Sequence, residues 1–252
     1  MMNRIITPLL CLLLLFGSSS INAIDRVKEA NDLYAQAEYK MAIKEYEEIL
    51  VKEGVSPQIY YNLGNAYYKS NEIGRAILNY ERALKIDPMM EDASYNLTIA
   101  QTKVVDNIIK IPTFFLFEWF KILIKLIGSN AWLYISVFLF ILCLLFVFLF
   151  IFASSRRLRI VSFYIWMVFL VFSILTLVFS NVRKSQIEKH NEAIVMSGVI
   201  TAKSSPDKSG TNLFQLHEGT KVEIKSSLGN WIEIELGNGS VGWVEKVHTE
   251  RI

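Results

Sequence analysis

The sequence contains few of the residues from which disulfide frameworks and metal sites are built. Its 252 residues include two cysteines, Cys11 and Cys143, and three histidines, at positions 190, 217 and 248. Cys11 lies in the leader described below, so a mature chain would keep one thiol, which excludes a disulfide framework and a cysteine metal site. The histidines lack ligand-like spacing, and the sequence shows no Ser-His grouping or phosphate-binding loop. We therefore predict no catalytic residue, no metal site and no cofactor.

Charged residues are scarce and unevenly distributed. They make up 20% of the chain, against about 25% in soluble domains. Residues 24–110 carry 11 basic and 14 acidic side chains, residues 111–192 carry 8 and 3, and residues 193–252 carry 6 and 7. Both outer parts are therefore mildly acidic. This argues against a nucleic-acid partner, because nucleic-acid binding needs a concentrated basic face.

The N-terminal residues have the features of a secretory signal peptide. Arg4 precedes an apolar stretch, Ile5–Phe16, and small residues lead to Ala23. As a helix, the apolar stretch would rise about 18 Å, which is short of a bilayer core of about 30 Å. We predict a signal peptide over residues 1–23 that is cleaved after Ala23; a retained anchor is the alternative.

Two long uncharged segments, residues 131–153 and 160–180, predict transmembrane helices. As helices they would rise about 34 and 31 Å, enough to cross a bilayer. The loop between them, residues 154–159, contains three arginines and is therefore predicted to face the cytoplasm. The hairpin lacks the intramembrane charge of transport pathways, so we interpret it as an anchor.

Residues 111–128 predict a different kind of segment. Glu118, Lys121 and Lys125 fall on one narrow face of a helix, and aromatic and aliphatic residues cover the rest. This pattern is typical of an amphipathic helix that lies in the lipid headgroup region. A short third span is the alternative, and it would place the two outer domains on opposite sides of the membrane.

The region 24–110 contains an internal repeat of 34 residues. Residues 30–50 and 64–84 share eight identities in 21 positions, and Tyr61-Asn62-Leu63 returns as Tyr95-Asn96-Leu97. Within a unit, apolar residues recur every three or four positions, which predicts helices. The region therefore predicts an all-α solenoid of about two and a half repeats.

The second unit resembles the tetratricopeptide repeat through residues at that family's signature spacings: Leu63-Gly64, Tyr67, Ala76, Tyr80, Ala83 and Pro88. The resemblance implies a concave groove that binds an extended peptide. It places these side chains toward the groove: Val27, Asn31, Tyr34, Tyr61, Asn65, Tyr68, Tyr95 and Lys103. The alternative is that the tyrosines pack between helices, and we favour it for Tyr46, Tyr67 and Tyr80. Family members that grip a terminal carboxylate carry lysine where Val27 stands, which argues against that binding mode.

From residue 193 onward, apolar residues alternate with polar ones, which predicts short strands in a small all-β barrel over 193–252. Asn238-Gly239 lies between two such runs and predicts a type I′ hairpin. Leu216-His217-Glu218-Gly219 and Gly242-Trp243-Val244 resemble bacterial Src-homology-3-like domains. Phe214, His217 and Trp231 are candidates for a ligand face on this barrel; the alternative is that they only complete it. Trp243 is predicted to lie in the core.

The order of these segments resembles that of the E proteins of the Bacteroides aerotolerance group. The resemblance implies an envelope stress system with a MoxR-type ATPase and membrane proteins that carry von Willebrand factor A domains. We predict a multidomain membrane protein of the bacterial cytoplasmic membrane with both soluble domains outside the cytoplasm. Its expected function is a non-enzymatic scaffold that contacts partner proteins and the lipid bilayer. The alternative is an envelope sensor whose barrel binds the cell wall peptidoglycan.

Overall fold

The structure is a computed structural model that describes residues 25–109, 111–112 and 114–252. The described chain forms two compact units. The first combines residues up to Ile111 with His190–Ile252, and the second is Pro112–Lys189. The predicted signal peptide, residues 1–23, lies outside the described residues.

Five helices form the N-terminal part of the first unit: α1 (25–35), α2 (Tyr39–Glu53), α3 (Pro57–Lys69), α4 (Ile73–Ile86) and α5 (Glu91–Gln101). They are the antiparallel pairs that the 34-residue period predicts, with α5 as the first helix of a third unit. Proline at the first position of α3 suits a helix start, because the first amide hydrogens of a helix have no internal partner.

The turns inside the two repeats have the same backbone conformation at equivalent residues. Ala37 and Asn71, 34 residues apart, both have φ of 62°. In each turn the next amide closes the preceding helix: Glu38 N donates to Leu33 O and Glu72 N donates to Tyr67 O, each at 2.9 Å. The first repeat therefore folds like the second, even though its sequence departs further from the family pattern.

Small residues allow α3 and α4 to approach closely. A Cβ atom on Gly64 would lie 2.7 Å from two ring carbons of Tyr80, which is itself buried. Ala76 and Ala83 on α4 are fully buried as well. Glycine at position 64 is thus required by the packing of the tyrosine ring.

The C-terminal part of the first unit is an antiparallel sheet with strand order β3-β2-β6-β5-β4-β1-β7. Its strands are β1 (Glu192–Val195), β2 (Val199–Lys203), β3 (Asn212–His217), β4 (Lys221–Leu228), β5 (Trp231–Glu235), β6 (Val241–Glu245) and β7 (Thr249–Arg251). Alternate residues such as Ile232 and Ile234 form its core, as the sequence pattern predicts.

Two details of the strand region differ from the sequence predictions. The β5–β6 connection is not a type I′ turn, since only Gly239 of the pair Asn238-Gly239 has a positive φ, at 83°. Gly239 N donates to Leu236 O instead, which gives a longer turn that ends in a left-handed glycine. Trp243 is not a core residue, because its neighbours Gly242 and Val244 point inward and the pleat turns Trp243 outward.

The helical repeats and the sheet share one hydrophobic core, which the sequence analysis did not anticipate. Ile194 of β1 and Ile252 are buried in the same cluster as Ile77 and Leu78 of α4. Gly219 follows β3 and lies so close to α4 that a Cβ atom on it would be 3.0 Å from the Ile77 side chain. Helix α4 is therefore enclosed on one side by α3 and on the other by the strands.

Charged residues reinforce this contact. Lys221 Nζ of β4 lies 2.9 Å from a carboxylate oxygen of Glu81 on α4 and 3.0 Å from one of Glu192 on β1. Burial disfavours the charged lysine, but the two carboxylates outweigh burial and raise the pKa of Lys221. Arg82 of α4 pairs with Glu250 at 2.9 Å.

Asp106, in the segment after α5, holds the loop that connects β3 and β4. Its carboxylate accepts hydrogen bonds from His217 N at 2.7 Å and Thr220 Oγ1 at 2.6 Å, and its other oxygen lies 2.7 Å from His217 Nδ1. Burial would raise the pKa of Asp106, but the bonds from Thr220 and His217 outweigh burial and lower it.

The second unit consists of α6 (Phe115–Lys125), α7 (Ser129–Phe152) and α8 (Arg156–Glu188). By length and composition, α7 and α8 could cross a membrane. They form an antiparallel hairpin in which Ser136 Oγ donates to Ser173 O at 2.8 Å and Ser173 Oγ donates to Ser136 O at 3.0 Å. Only residues 153–155 connect the two helices, so the arginines of the predicted 154–159 loop belong to the first turn of α8.

We expect Asp106→Asn to lower the free energy of unfolding at pH 7 by about 1–2 kcal/mol, because it replaces three charge-assisted contacts with weaker ones. A carboxylate whose pKa is lowered in the folded state stabilises the fold at pH values above its usual pKa of 3.8. That stabilisation is lost as the pH falls through the lower pKa of the folded state. The wild type should therefore lose stability below pH 3.8 more steeply than the variant.

Chemical unfolding of the full chain in detergent, followed by tryptophan fluorescence between pH 7 and pH 2.5, measures both effects. Asp32→Asn is the matched control, since Asp32 is exposed and its side chain makes no bond with another described residue. We expect it to change stability by less than about 0.5 kcal/mol. Equal losses for the two variants would contradict the interpretation of Asp106.

Candidate functional site

The candidate site is the groove formed by the first helices of the repeats, α1, α3 and α5. It encloses a cavity of about 300 Å³. Tyrosine and asparagine dominate the residues that line it: Tyr34, Tyr61, Asn65, Tyr68, Lys69, Tyr80, Asn96 and Ile99. On α3, Tyr61, Asn65 and Tyr68 stand at i, i+4 and i+7, which places them on one face of that helix.

A buried tyrosine holds the first groove asparagine in place. Tyr46 OH on α2 donates to Asn31 Oδ1 at 2.6 Å, and Asn62 Nδ2 on α3 donates to the same oxygen at 3.1 Å. Tyr46 is 1% exposed. Burial, followed by the neighbouring Tyr34, raises the pKa of Tyr46 to about 12. Its hydroxyl therefore stays protonated as a donor throughout the physiological range.

The same arrangement recurs 34 residues later. Tyr80 OH donates to Asn65 Oδ1 at 2.7 Å, and Asn96 Nδ2 donates to that oxygen at 2.8 Å. Burial, followed by Tyr61, also raises the pKa of Tyr80. We call these two sets, Asn31–Tyr46–Asn62 and Asn65–Tyr80–Asn96, the asparagine ladder.

The ladder determines what the groove can offer to a ligand. The side-chain oxygens of Asn31 and Asn65 are occupied as acceptors, whereas their amide Nδ2 groups make no hydrogen bond within the described chain. The hydroxyl of Tyr68 is likewise without a described partner, and the exposed Lys69 adds a positive charge that no described carboxylate pairs. The groove is therefore rich in donors, which suits the carbonyl and carboxylate oxygens of an extended peptide.

The structure brings together four of the eight side chains that the family resemblance placed toward this groove, and Val27 and Lys103 are not among them. Tyr34, Tyr61, Asn65 and Tyr68 line the cavity. Asn31 lies one repeat away from Asn65 in the ladder, and Tyr95 is 69% exposed outside the cavity. The asparagine proposed for each repeat is thus part of a bonded set.

The preference for a packing role of Tyr46, Tyr67 and Tyr80 is confirmed, since none of them is more than 3% exposed. Tyr46 and Tyr80 also orient groove residues, a role that the sequence did not indicate. The Tyr67 hydroxyl instead bonds to Glu47 and Arg75, outside the groove. Asn62 and Asn96 were not predicted to contribute to the groove. The recurrence of Tyr-Asn-Leu at 61–63 and 95–97 was the signal that could have identified this pair.

The barrel residues proposed as a ligand face do not come together. Phe214 packs against the core of the sheet, where its ring lies within 3.4 Å of a Cβ position on Gly242. His217 is held by Asp106. Only Trp231 remains on the outer face, because strand β5 turns Ile232 inward and Trp231 outward.

An aromatic face does exist, but with a different partner for Trp231. Trp243 of β6 is directly paired with Glu233 of β5 and with Lys203 of β2. Residues 231 and 233 share one side of β5, so the two tryptophans lie on the same outer face as this acid and this base. The face combines two aromatic surfaces with charges of both signs.

Comparison with known families agrees with both parts of the first unit. The chain matches the tetratricopeptide repeat family over residues 57–90 and the bacterial SH3 domain family over residues 199–250. The first match covers α3, α4 and the turn that follows, and the second covers β2 to the start of β7. No curated protein matches the chain.

We expect Tyr80→Phe to lower the free energy of unfolding by about 1 kcal/mol, because it removes the donor that holds Asn65 and leaves a buried acceptor with one partner fewer. Tyr34→Phe is the matched control: the Tyr34 hydroxyl makes no described hydrogen bond, so the same deletion should cost less than about 0.5 kcal/mol. Urea unfolding of the full chain, monitored by circular dichroism, gives both values. Equal values would mean that the ladder bonds do not contribute to stability.

Proposed function

We propose that this protein is a membrane-anchored scaffold without enzymatic activity, and that it binds a partner protein in the groove of its helical repeats. One observation carries the proposal. The strands cover the side of α4 that carries Ile77 and Glu81, while the cavity around Tyr61 and Asn65 stays open. The surface that tetratricopeptide repeats use for protein partners is thus the surface that this fold leaves accessible.

The chemistry of the groove supports a peptide ligand. Unused amide donors on Asn31 and Asn65 can bind backbone carbonyls at two points one repeat apart, and tyrosine rings supply rigid apolar area between them. The buried hydroxyls of Tyr46 and Tyr80 hold the two asparagines before a ligand arrives. Binding therefore loses little side-chain entropy, which favours affinity.

The membrane segments support a proposed location. We infer that α7 and α8 insert as a hairpin whose arginine-rich bend faces the cytoplasm. The signal peptide proposed at residues 1–23 would place the repeats outside the cytoplasm, and an even number of crossings would return the barrel to the same side. Helix α6, with Glu118 and Lys121 paired at 2.8 Å on its polar face, would lie in the headgroup region.

The identity of the partners rests on the order of segments. A leader, helical repeats, a two-helix hairpin and a terminal barrel resemble the layout of the Bacteroides aerotolerance E proteins. We therefore propose membrane proteins with von Willebrand factor A domains, within an envelope stress complex, as the first partners to test.

A photo-crosslinking amino acid at position 68 should capture one specific protein in intact cells, because Tyr68 lines the groove. The same probe at position 51 is the control, since Val51 is 85% exposed and lies outside the groove. Asn65→Ala should weaken capture at position 68 by on the order of tenfold through loss of a peptide-binding amide. Mass spectrometry identifies the captured protein. Identical products at both positions would contradict groove binding.

Cysteine labelling tests the proposed extracytoplasmic location of the repeats and the barrel. With Cys143 replaced by serine, single cysteines at positions 60 and 230 should react with a membrane-impermeant maleimide in intact cells. A cysteine at position 157, in the arginine-rich bend, should react only after permeabilisation. Protection of position 60 or 230 in intact cells would overturn the extracytoplasmic placement.

A second candidate function is binding of the cell wall by the barrel. The observation that favours it is the outer face of the sheet, where Trp231 and Trp243 lie beside Lys203 and Glu233. Tryptophan surfaces suit sugar rings and peptide stems. Lys203 Nζ already donates to Lys208 O, Gly210 O and Asn212 Oδ1, so Glu233 is the charged group that the face can offer to a ligand. This face is distinct from the groove, so both functions are compatible with one chain.

Co-sedimentation of the full chain in detergent with insoluble peptidoglycan tests this function. The isolated barrel is unsuitable, because its removal would expose Ile194 and Ile252. We expect wild-type protein to sediment and Trp243→Ala to reduce retention by on the order of tenfold, through loss of a large apolar contact. Tyr95→Ala, which removes an exposed aromatic ring from the repeats, should leave retention unchanged. Unretained wild-type protein would remove this candidate.

A further inference from the structure

A cavity of about 490 Å³ lies where α8 begins, beside the short connection from α7. Its charged side is formed by Arg156 and Arg159, which are three residues apart and therefore adjacent on the helix surface. Aromatic and aliphatic residues complete the lining: Phe150, Ile160, Phe163 and Tyr164. The cavity thus joins two guanidinium groups to an apolar surface.

The arginines of this cavity have no counter-charge in the second unit. Neither Arg156 nor Arg159 makes an ion pair or side-chain hydrogen bond with another residue that the structure describes. The sequence contains no acidic residue between Glu118 and Glu188. These two carboxylates contact lysines, Glu118 at Lys121 and Glu188 at Lys184. The positive charge at the bend therefore needs an anion from outside the chain.

The backbone adds to this requirement. Helix α8 has no acidic residue in its first turn, and Ser155 makes no side-chain capping bond. The free amide hydrogens and the positive end of the helix dipole thus lie at the same end as the two arginines. Cations are unfavourable at that end of a helix unless an anion offsets them.

We propose that the cavity binds the phosphodiester of an anionic phospholipid headgroup, with Arg156 and Arg159 donating to its non-bridging oxygens. Arginine suits this ligand because its planar fork matches phosphate geometry. The inference rests on the membrane insertion of α7 and α8 in the proposed function.

The apolar lining favours a lipid over free phosphate. Ile160 is 49% exposed and Phe150 37% exposed, and a small hydrated ion would leave both in contact with water. A glycerol backbone and acyl chain that continue from the phosphodiester cover them. Tyr164, 64% exposed, has the apolar ring and polar tip that are typical of residues at the membrane interface.

Native mass spectrometry of the purified full-length protein in detergent tests the site. With equimolar phosphatidylglycerol and phosphatidylcholine, we expect the wild type to retain phosphatidylglycerol on the order of tenfold more. Arg156→Gln and Arg159→Gln should each remove most of this preference. Arg157→Gln is the matched control, because it removes the same charge from the same turn but does not line the cavity. It should keep the preference.

Three results would overturn the proposal. Equal loss in Arg157→Gln would mean that general positive charge, and not the cavity, attracts the lipid. Displacement of phosphatidylglycerol by millimolar inorganic phosphate would identify a site for a soluble anion. Equal retention of both lipids by the wild type would mean that the cavity does not distinguish headgroups.

A separate measurement distinguishes failure of this site from failure of the membrane anchor. Carbonate extraction of cell membranes at alkaline pH should leave the protein in the membrane fraction. Release by carbonate would overturn both the anchor and the lipid site. Retention without lipid preference would overturn the site alone.

Discussion

The packing of the strands against α4 is the contact on which the first unit depends. A tetratricopeptide repeat cannot bury its apolar surface alone, and stable arrays need about three repeats or a capping element. This chain has two complete helix pairs and α5. The missing neighbour is supplied by the barrel, which buries Ile194 and Ile252 against the repeats. Each isoleucine removed from water contributes about 1.5–3 kcal/mol.

One contact shows how the barrel takes the place of a further repeat. Glu47 of α2 accepts a hydrogen bond from Tyr67 of the next repeat. Glu81 stands 34 residues later, but α5 has Gln101 at the position equivalent to Tyr67. Lys221 of the barrel pairs with Glu81 instead. The barrel therefore pairs with the same repeat position that, one repeat earlier, contacts the following helix. The barrel thereby completes the fold of the neighbouring repeats.

Buried polar groups select one packing arrangement in each of the two units. In the repeats, the hydroxyls of Tyr46 and Tyr80 donate hydrogen bonds to groove asparagines. The same bonds therefore stabilise the interior and orient the side chains of the groove. In the hairpin, Ser136 and Ser173 bond to each other's backbone and fix the register of two otherwise uniform apolar helices. In both cases a buried donor without its partner would be costly, which selects one arrangement among many apolar packings.

Local patterns in the sequence determined the helices, the strands and the apolar hairpin, because periodicity reports which face of an element is buried. The resemblance to the tetratricopeptide repeat also implied which side chains face the groove, and four of them line one cavity. Turn geometry was less predictable: Asn238-Gly239 favours one hairpin type in isolation, but the strand register around it produces another. The direction of Trp243 depended in the same way on the pleat of its neighbours.

Only the tertiary structure decided which segments distant in sequence share a core. Asp106 and His217 are separated by the whole second unit, and no local signal connects them. The same holds for the asparagine ladder, because no local signal connects Tyr46 with Asn31 or Tyr80 with Asn65. Periodicity is a property of neighbouring residues, whereas docking and hydrogen-bond partners depend on how complete surfaces fit together.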